Sequence, residues 1–148
     1  MWKWEKLLRK VEYLKNVQGH KMIGRIFYAI FRFKFHRDSV RLGFSIPLNV
    51  CGKGLSIVHY GSVAINPRAS IGENCRIYGD VVIGVQNPGG GAPVIGNNVL
   101  IGAGAKVLGE IYIANGVWIG ANSVVISSCE NENAVIAGNP AKIIRKGR

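Results

Sequence analysis

The chain has 148 residues, 48% of them hydrophobic, so it can form one domain with a core and is not disordered as a whole. Its 20 glycines follow no collagen triplet and therefore predict many tight corners. The formal net charge is +11, and residues 1–42 carry +8 of it, with eleven Lys and Arg against three acids. An anionic lipid or an acidic glycan would suit this excess, and no recognition motif supports nucleic acid.

The N-terminal segment, residues 1–42, is predicted to be helical. Over residues 1–20 the apolar side chains fall on one side of a helix: Trp4, Leu7, Leu8, Val11 and Leu14. Residues 22–35 mix aromatic residues with Arg and Lys, which is typical of a helix at a membrane surface. The segment could instead cap the following domain or pack on a neighbouring subunit.

The start of the chain, MWKWEKLLRK, lacks the apolar run of a secretory signal, and no stretch is apolar enough to span a bilayer. Three cysteines, Cys51, Cys75 and Cys129, show no metal-ligand spacing, and no metal is expected. Their odd number predicts reduced thiols. We therefore expect a cytoplasmic protein whose membrane contact, if it makes one, is peripheral and at the inner face.

Residues 43–148 are governed by a repeat of six. From Ile65, ten of eleven positions at this step are Ile or Val, and the exception is Gly89. The residues two positions before each position of this step are small or aliphatic, and the residue that follows such a position is often glycine. A step of six fits neither an α-helix nor a heptad, but it fits short strands separated by turns.

The repeat predicts an all-β domain, a triangular parallel β-helix, in which three hexapeptides make one coil and the large aliphatic residues stack inside. Each fully buried Ile or Val contributes about 1.5–3 kcal/mol. The alternative, a β-sandwich, does not keep one numerical phase over sixty residues. The break lies in QNPGGGAP, residues 86–93, where six extra residues predict a loop extruded from one corner. Residues 137–148 leave the phase and predict a last strand and a basic tail.

Three segments resemble the hexapeptide-repeat acyltransferases, and among them the serine acetyltransferase-like branch. IVHYGSVAIN (57–66) is similar to the segment that carries the catalytic histidine, and the segment 101–109 to the coenzyme A groove. AGNPAK (137–142) resembles the segment beside the adenine end of the coenzyme. The resemblance implies a left-handed β-helix, a homotrimer with sites between subunits, and acetyl transfer from acetyl-CoA to a hydroxyl.

His59 is the candidate general base, because an imidazole can accept a proton near neutral pH and the repeat contains no other histidine. A γ-type carbonic anhydrase, which shares the helix, needs three histidines for zinc and is excluded. The six-residue step places His59 at an inward position, so we expect Gly61 and Ser62 to let the turn bulge and present the ring to the cleft. The resemblance assigns to the coenzyme Gly84, Ala103, Gly104, Lys106, Ala121 and Lys142.

Two departures from the branch bear on the acceptor. The aspartate that orients the base in serine acetyltransferases corresponds to Phe44, and a histidine before the proline that ends the loop corresponds to Ala92. A zwitterionic acceptor needs such polar contacts, whereas a sugar hydroxyl needs fewer. The pattern is therefore closer to polysaccharide O-acetyltransferases acting on a surface-glycan precursor, with serine O-acetylation and a non-catalytic scaffold as alternatives.

In this interpretation Asp80 and Asn87 are candidate acceptor contacts. The His59 ring would be oriented by a backbone carbonyl, by Asp80 or by Glu73.

Overall fold

The structure is a computed structural model that describes residues 2–18 and 21–147. Met1, Gly19 and His20 of the predicted N-terminal segment, and Arg148 of the predicted tail, lie outside the described residues.

In its described residues, 2–18 and 21–42, the N-terminal segment forms two α-helices. Helix α1 spans Trp2–Tyr13 and continues into a π-helical turn, Leu14–Gln18, and helix α2 spans Met22–Leu42. Helix α1 buries the stripe of apolar residues that the sequence places on one side. Helix α2 ends at Gly43, whose φ of 78° is left-handed and whose N–H bonds to the carbonyls of Ser39 and Val40. Between residues 2–18 and 21–147, no helix is both long enough and apolar enough to cross a membrane.

Fourteen short strands follow within residues 43–147. They are β1 Phe44–Ser45, β2 Ser56–Ile57, β3 Val63–Ile65, β4 Ser70–Ile71, β5 Arg76–Ile77, β6 Val81–Gly84, β7 Val94–Ile95, β8 Leu100–Ile101, β9 Lys106–Leu108, β10 Tyr112–Ile113, β11 Trp118–Ile119, β12 Val124–Val125, β13 Val135–Gly138 and β14 Ala141–Arg145.

Consecutive strands enter three sheets in turn. The first sheet has the order β1-β3-β6-β9-β12, the second β4-β7-β10, and the third β2-β5-β8-β11-β13-β14. All pairs are parallel except β13 with β14. Ile95 lies beside Ile113, eighteen residues later, which is three hexapeptides. The predicted three-sided parallel coil is therefore present, and its left-handed sense stays a prediction.

The core is a column of inward side chains. All ten Ile and Val residues of the repeat are at most 4% exposed, and most of the small residues two positions earlier are buried as well. Glycine follows the inward residue because the next coil lies close above it. A Cβ on Gly72 would lie 2.6 Å from the Gly96 backbone, a distance that real contacts do not show.

The loop at 86–93 leaves the phase intact. Across it the register is twenty-four residues, as in the pairing of Ile71 with Ile95, so six residues leave the coil without moving the inward positions. After the last coil the chain turns back, and β14 pairs with β13 in an antiparallel hairpin.

Helix α1 lies on the first coil and satisfies its backbone groups. The Glu5 carboxylate accepts the N–H of Ile57 at 2.8 Å, and the Glu12 carboxylate accepts the N–H of Asn49 at 2.7 Å. Arg9 donates to the Cys51 carbonyl at 2.8 Å. The helix thus covers the end of the solenoid, whose N–H and C=O groups would otherwise be open.

Candidate active site

His59 lies in a turn between the third and the first sheet. The neighbouring inward residues Ile57 and Ile77 are twenty residues apart, two more than a regular coil requires. The extra residues shift the phase, so Ile57 takes the inward position and is 2% exposed. The step of six extrapolated from Ile65 is therefore wrong by two residues at this coil, and the His59 side chain is exposed.

The turn is attached to the end of helix α2. The Gly61 N–H donates to the Leu42 carbonyl at 3.4 Å, and the Val63 N–H donates to the Gly43 carbonyl at 3.1 Å. These bonds join the turn that carries His59 to the last turn of the helix. Gly61 in this turn has a φ of 131°, a backbone conformation that glycine adopts more readily than residues with a Cβ.

The His59 ring packs beside Tyr78, with 5.7 Å between the ring centroids and 56° between the ring planes. In the part of the chain that the structure describes, no side-chain hydrogen bond holds the imidazole. The carboxylate of Asp80 lies beside the same turn, because its Oδ1 is 3.6 Å from the place that a Cβ on Gly61 would take. Glu73 lies at another corner, where its N–H bonds to Asn97.

Phe44 belongs to the core. It is 5% exposed, and its ring meets Trp4 edge-on with 5.0 Å between the centroids. A carboxylate here would be buried among aromatic rings. Phe44, the residue that corresponds to the orienting aspartate, therefore packs helix α1 against the first coil.

A groove of about 400 Å³ runs along the third sheet from Tyr78 toward the C-terminal coils. Its lining is mostly small or apolar: Tyr78, Leu100, Gly102, Ala103, Trp118, Ile119, Gly120, Ala121 and Val135. The register stacks the ends of β2, β5, β8 and β11 in one column, with Ala103 and Ala121 following the two later strands and the irregular turn of His59 following the first. Neighbouring strands are about 4.8 Å apart, and the column therefore extends over about 15 Å.

The small residues of the groove have two different roles. A Cβ on Gly102 would lie 2.6 Å from the Ala121 nitrogen, so Gly102 is required for the stacking of the coils. Ala103 and Ala121 are exposed, and they form the open wall along which a slender ligand could lie.

The remaining predicted residues divide between positions. Asp80, Gly104 and Lys106 lie at or next to the corner of His59, and the Lys106 Nζ donates to the Asp80 carbonyl at 2.6 Å. Gly84 ends β6 and Asn87 lies in the loop, so both are at the next corner, between the first and second sheets. Lys142, on β14, is at the far edge of the third sheet. Within one chain, Asp80, Gly104 and Lys106 therefore lie near His59. Gly84, Asn87 and Lys142 lie elsewhere.

Sequence reasoning missed the aromatic residues of the site, Tyr60, Tyr78 and Trp118. Tyr78 carried a signal, since it follows an inward isoleucine at a position where the repeat usually has glycine. Trp118 precedes an inward isoleucine and so points outward, where its side chain is 52% exposed.

The cysteines are structural in this arrangement. Burial raises the pKa of the Cys51 thiol to about 12, and burial also raises the pKa of Cys75. Neutral buried thiols are poor nucleophiles. Within residues 2–18 and 21–147, no three His, Cys, Asp or Glu side chains are grouped so that they could hold a metal ion.

The chain matches the family model described as bacterial transferase hexapeptide (six repeats) over residues 92–127. None of the curated proteins compared matches it. Its fold is similar to that of serine acetyltransferase from Brucella abortus strain S19 in complex with coenzyme A. That similarity has 30% identity and a TM-score of 0.70, and it covers 97% of this chain and 55% of that one.

Two further solved structures give the same result. A serine O-acetyltransferase from Brucella melitensis has 32% identity and a TM-score of 0.72, with 97% of this chain and 56% of that chain covered. The enzyme from Neisseria gonorrhoeae in complex with serine has 27% identity and a TM-score of 0.66, with 94% and 54% covered. The chain spans little more than half the length of these proteins. The resemblance to serine acetyltransferase-like hexapeptide proteins is confirmed.

Proposed function

We propose that this chain, a hexapeptide-repeat protein similar to the serine acetyltransferases, is an acetyl-CoA-dependent O-acetyltransferase with His59 as general base. The proposal depends on one observation. An exposed histidine lies next to Tyr78, and Tyr78 belongs to a groove of about 400 Å³ with a lining of small and apolar residues. A base at one end of a slender groove is what transfer from a thioester on a long arm requires.

The chain's own residues would act as follows. His59 accepts the proton of the acceptor hydroxyl while the hydroxyl oxygen attacks the thioester carbonyl. Backbone N–H groups at the corner stabilise the negative charge on the carbonyl oxygen. The carbon–sulfur bond then breaks, the imidazolium returns its proton to the departing thiolate, and the products are the acetyl ester and free coenzyme A.

The groove would hold the arm of the coenzyme against Ala103 and Ala121, with Lys142 near the phosphates of its adenine end. In a left-handed coil that assembles as a homotrimer, Gly84 and Asn87 would come from the neighbouring subunit, because within one chain they lie one corner away from His59. Lys106 would support the site by holding the Asp80 carbonyl.

Two acceptors are to be compared. The solved relatives are serine acetyltransferases, which favours L-serine over the polysaccharide precursor that the sequence alone suggested. The buried Phe44 and the half-buried Ala92 stand where that branch has polar groups, which favours a sugar hydroxyl. The two observations bear on different parts of the protein. The fold similarity concerns the scaffold, whereas Phe44 and Ala92 concern the side of the site that would hold the acceptor.

The test is release of thiol from acetyl-CoA in the presence of L-serine or of nucleotide sugars. We expect His59→Ala to lower turnover about 10²–10⁴-fold with either acceptor, because the hydroxyl then lacks its base. His36→Ala is the matched control, since His36 is an exposed histidine on helix α2, and it should leave turnover unchanged. A His59→Ala protein that is folded and fully active would disprove the catalytic role, and a chain that does not bind coenzyme A would be a scaffold.

A further inference from the structure

We propose that the cleft between helices α1 and α2 is a phosphate-binding site, and that the acceptor is a phosphorylated compound whose phosphate group lies there while its hydroxyl reaches His59. The role of the acceptor rests on the proposed function, whereas the binding of phosphate does not.

The cleft has a volume of about 690 Å³ and combines cationic side chains with an apolar floor. Its lining consists of Lys3, Trp4, Lys6, Leu7, Lys10, Lys34, Asp38, Arg41, Leu42 and Tyr60. Five of these ten residues are cationic and one is acidic. This volume is in the range of small-molecule sites, about 300–1,000 Å³, and exceeds what a single amino acid fills.

Within the described residues, the lining of the cleft keeps an excess of positive charge, because five of its residues are cationic and one is acidic. Asp38, the one acid in the lining, lies 3.5 Å from Arg37, which is outside the lining. Over residues 2–18 and 21–147, none of the five cationic residues of the cleft forms an ion pair. Lys6 and Lys10 lie over the rings of Trp2 and Phe31, at 4.5 and 3.7 Å from the ring centroids, and these contacts leave their charge in place.

The turn that carries His59 adjoins both the cleft and the groove. Tyr60 follows His59 in the chain and lines the cleft, and the Leu42 carbonyl in the cleft wall accepts the N–H of Gly61. Tyr78, which packs beside the His59 ring, lines the groove, which continues toward the last coils. If the groove holds the coenzyme, the cleft is the side from which the acceptor arrives.

Phosphate fits this site better than the other anions. Several cations on two helices can surround a group with two or more negative charges, whereas the carboxylate of serine offers one charge and is paired with an ammonium group. A membrane surface is the competing partner, but the large apolar residues exposed on helix α2, among them Ile23, Ile26, Ile30 and Phe33, lie outside the cleft. A lipid surface would use those residues first.

The experiment measures binding of inorganic pyrophosphate to the unmodified chain by titration calorimetry, at about 100 mM salt, where charges beyond about 10 Å are screened. The cleft variant is Lys3→Gln, Lys34→Gln and Arg41→Gln, three cleft residues outside the two cation–π contacts described above. The matched control is Lys15→Gln, Lys21→Gln and Arg25→Gln, which removes the same charge from the same helical segment outside the cleft. Circular dichroism checks that both variants are folded.

We expect the cleft variant to weaken pyrophosphate binding about tenfold or more and the control to change it less than about twofold. Pyrophosphate should also compete with a nucleotide-sugar acceptor, and the cleft variant should raise the KM for that acceptor while kcat with acetyl-CoA is retained. Equal weakening in both variants would show that only net charge matters and would overturn the proposal, as would absence of binding at millimolar pyrophosphate.

A third measurement tests the membrane alternative. Sedimentation with vesicles of phosphatidylcholine and phosphatidylglycerol that is lost in the cleft variant, together with unchanged pyrophosphate binding, would assign the cleft to a lipid surface and overturn the proposal. Pyrophosphate binding that follows the cleft residues in a chain without acetyl transfer would leave the site standing and refute the proposed function instead.

Discussion

At the scale of the residue, Cys51 shows how helix α1 and the first coil depend on each other. Its side chain is 5% exposed, its carbonyl accepts the Arg9 guanidinium at 2.8 Å, and Arg9 pairs with Glu12 at 2.8 Å. Burial raises the pKa of the thiol to about 12 from a reference of 9.0, and the nearby Arg9 opposes this effect only in part. The thiol is therefore neutral in the folded protein and acts as a small apolar group of the core.

This shift predicts a loss of stability at high pH. The pKa of the thiol is higher in the folded than in the unfolded state. Between pH 9 and about 12 the thiol is therefore ionised only in the unfolded chain, which lowers the free energy of unfolding as the pH rises. The stability that the neutral buried thiol contributes is fully present below pH 9. We expect the free energy of unfolding to fall by about 1 kcal/mol per pH unit more in the wild type than in Cys51→Ala. Urea unfolding between pH 8 and 11 measures both slopes, and parallel slopes would contradict the prediction.

At the scale of the element, the corner between the third and first sheets contributes both to the stacking of the coils and to the lining of the groove. Glycines that follow the inward isoleucines let one coil rest on the next, as Gly102 does on the backbone of Ala121. The following residues, Ala103 and Ala121, face outward and line the groove in which the proposed function places the coenzyme. Stability and ligand access are therefore separated by a single position along the chain.

This separation is testable with two neighbouring substitutions. Gly102→Ala should lower the free energy of unfolding by about 1–3 kcal/mol, because its Cβ has no room against the next coil. Ala103→Leu should leave unfolding nearly unchanged and raise the KM for acetyl-CoA about tenfold, because its side chain fills the groove. Ala29→Leu, the same change at an exposed site on helix α2, is the control. An unaltered KM in Ala103→Leu would remove the coenzyme from this groove.

At the scale of the whole molecule, one phase of inward residues runs from β3 to β12 and crosses the loop at 86–93 unchanged. A shift by one residue would turn inward side chains outward in every later coil. The strands must therefore keep the phase, whereas extra residues can leave the coil at a corner, as two do at the turn of His59 and six do in the loop.

Deletions in the loop measure this rule directly. Removing six residues, 86–91, restores an eighteen-residue register, so we expect a cooperative thermal transition with a Tm near that of the wild type. Removing seven residues, 86–92, leaves a register of seventeen residues, too short for a regular coil, so it pulls Ile95 out of its inward position and should lower the Tm clearly. Calorimetric scans of the two variants decide, and equal behaviour would contradict the phase argument.

The sequence by itself determined the repeat, the inward residues and the point where six residues leave the coil, because each of these is a local alternation of side chains between a core and solvent. The assignment of Ala103 and Ala121 to the coenzyme, which the resemblance implies, stays a prediction, although both residues line the groove. The assignment of His59 as base stays a prediction from that resemblance.

Tertiary structure alone decided where His59 points, since two extra residues in one turn moved the phase and only the pairing of Ile57 with Ile77 reveals them. It alone brought the cations of helix α1 and of the end of helix α2 to one cleft beside Tyr60. The physical reason is the same in both cases. The period of a repeat predicts whether each side chain faces the core or solvent from its neighbours in the sequence. A site depends instead on how segments that are distant in the sequence pack together.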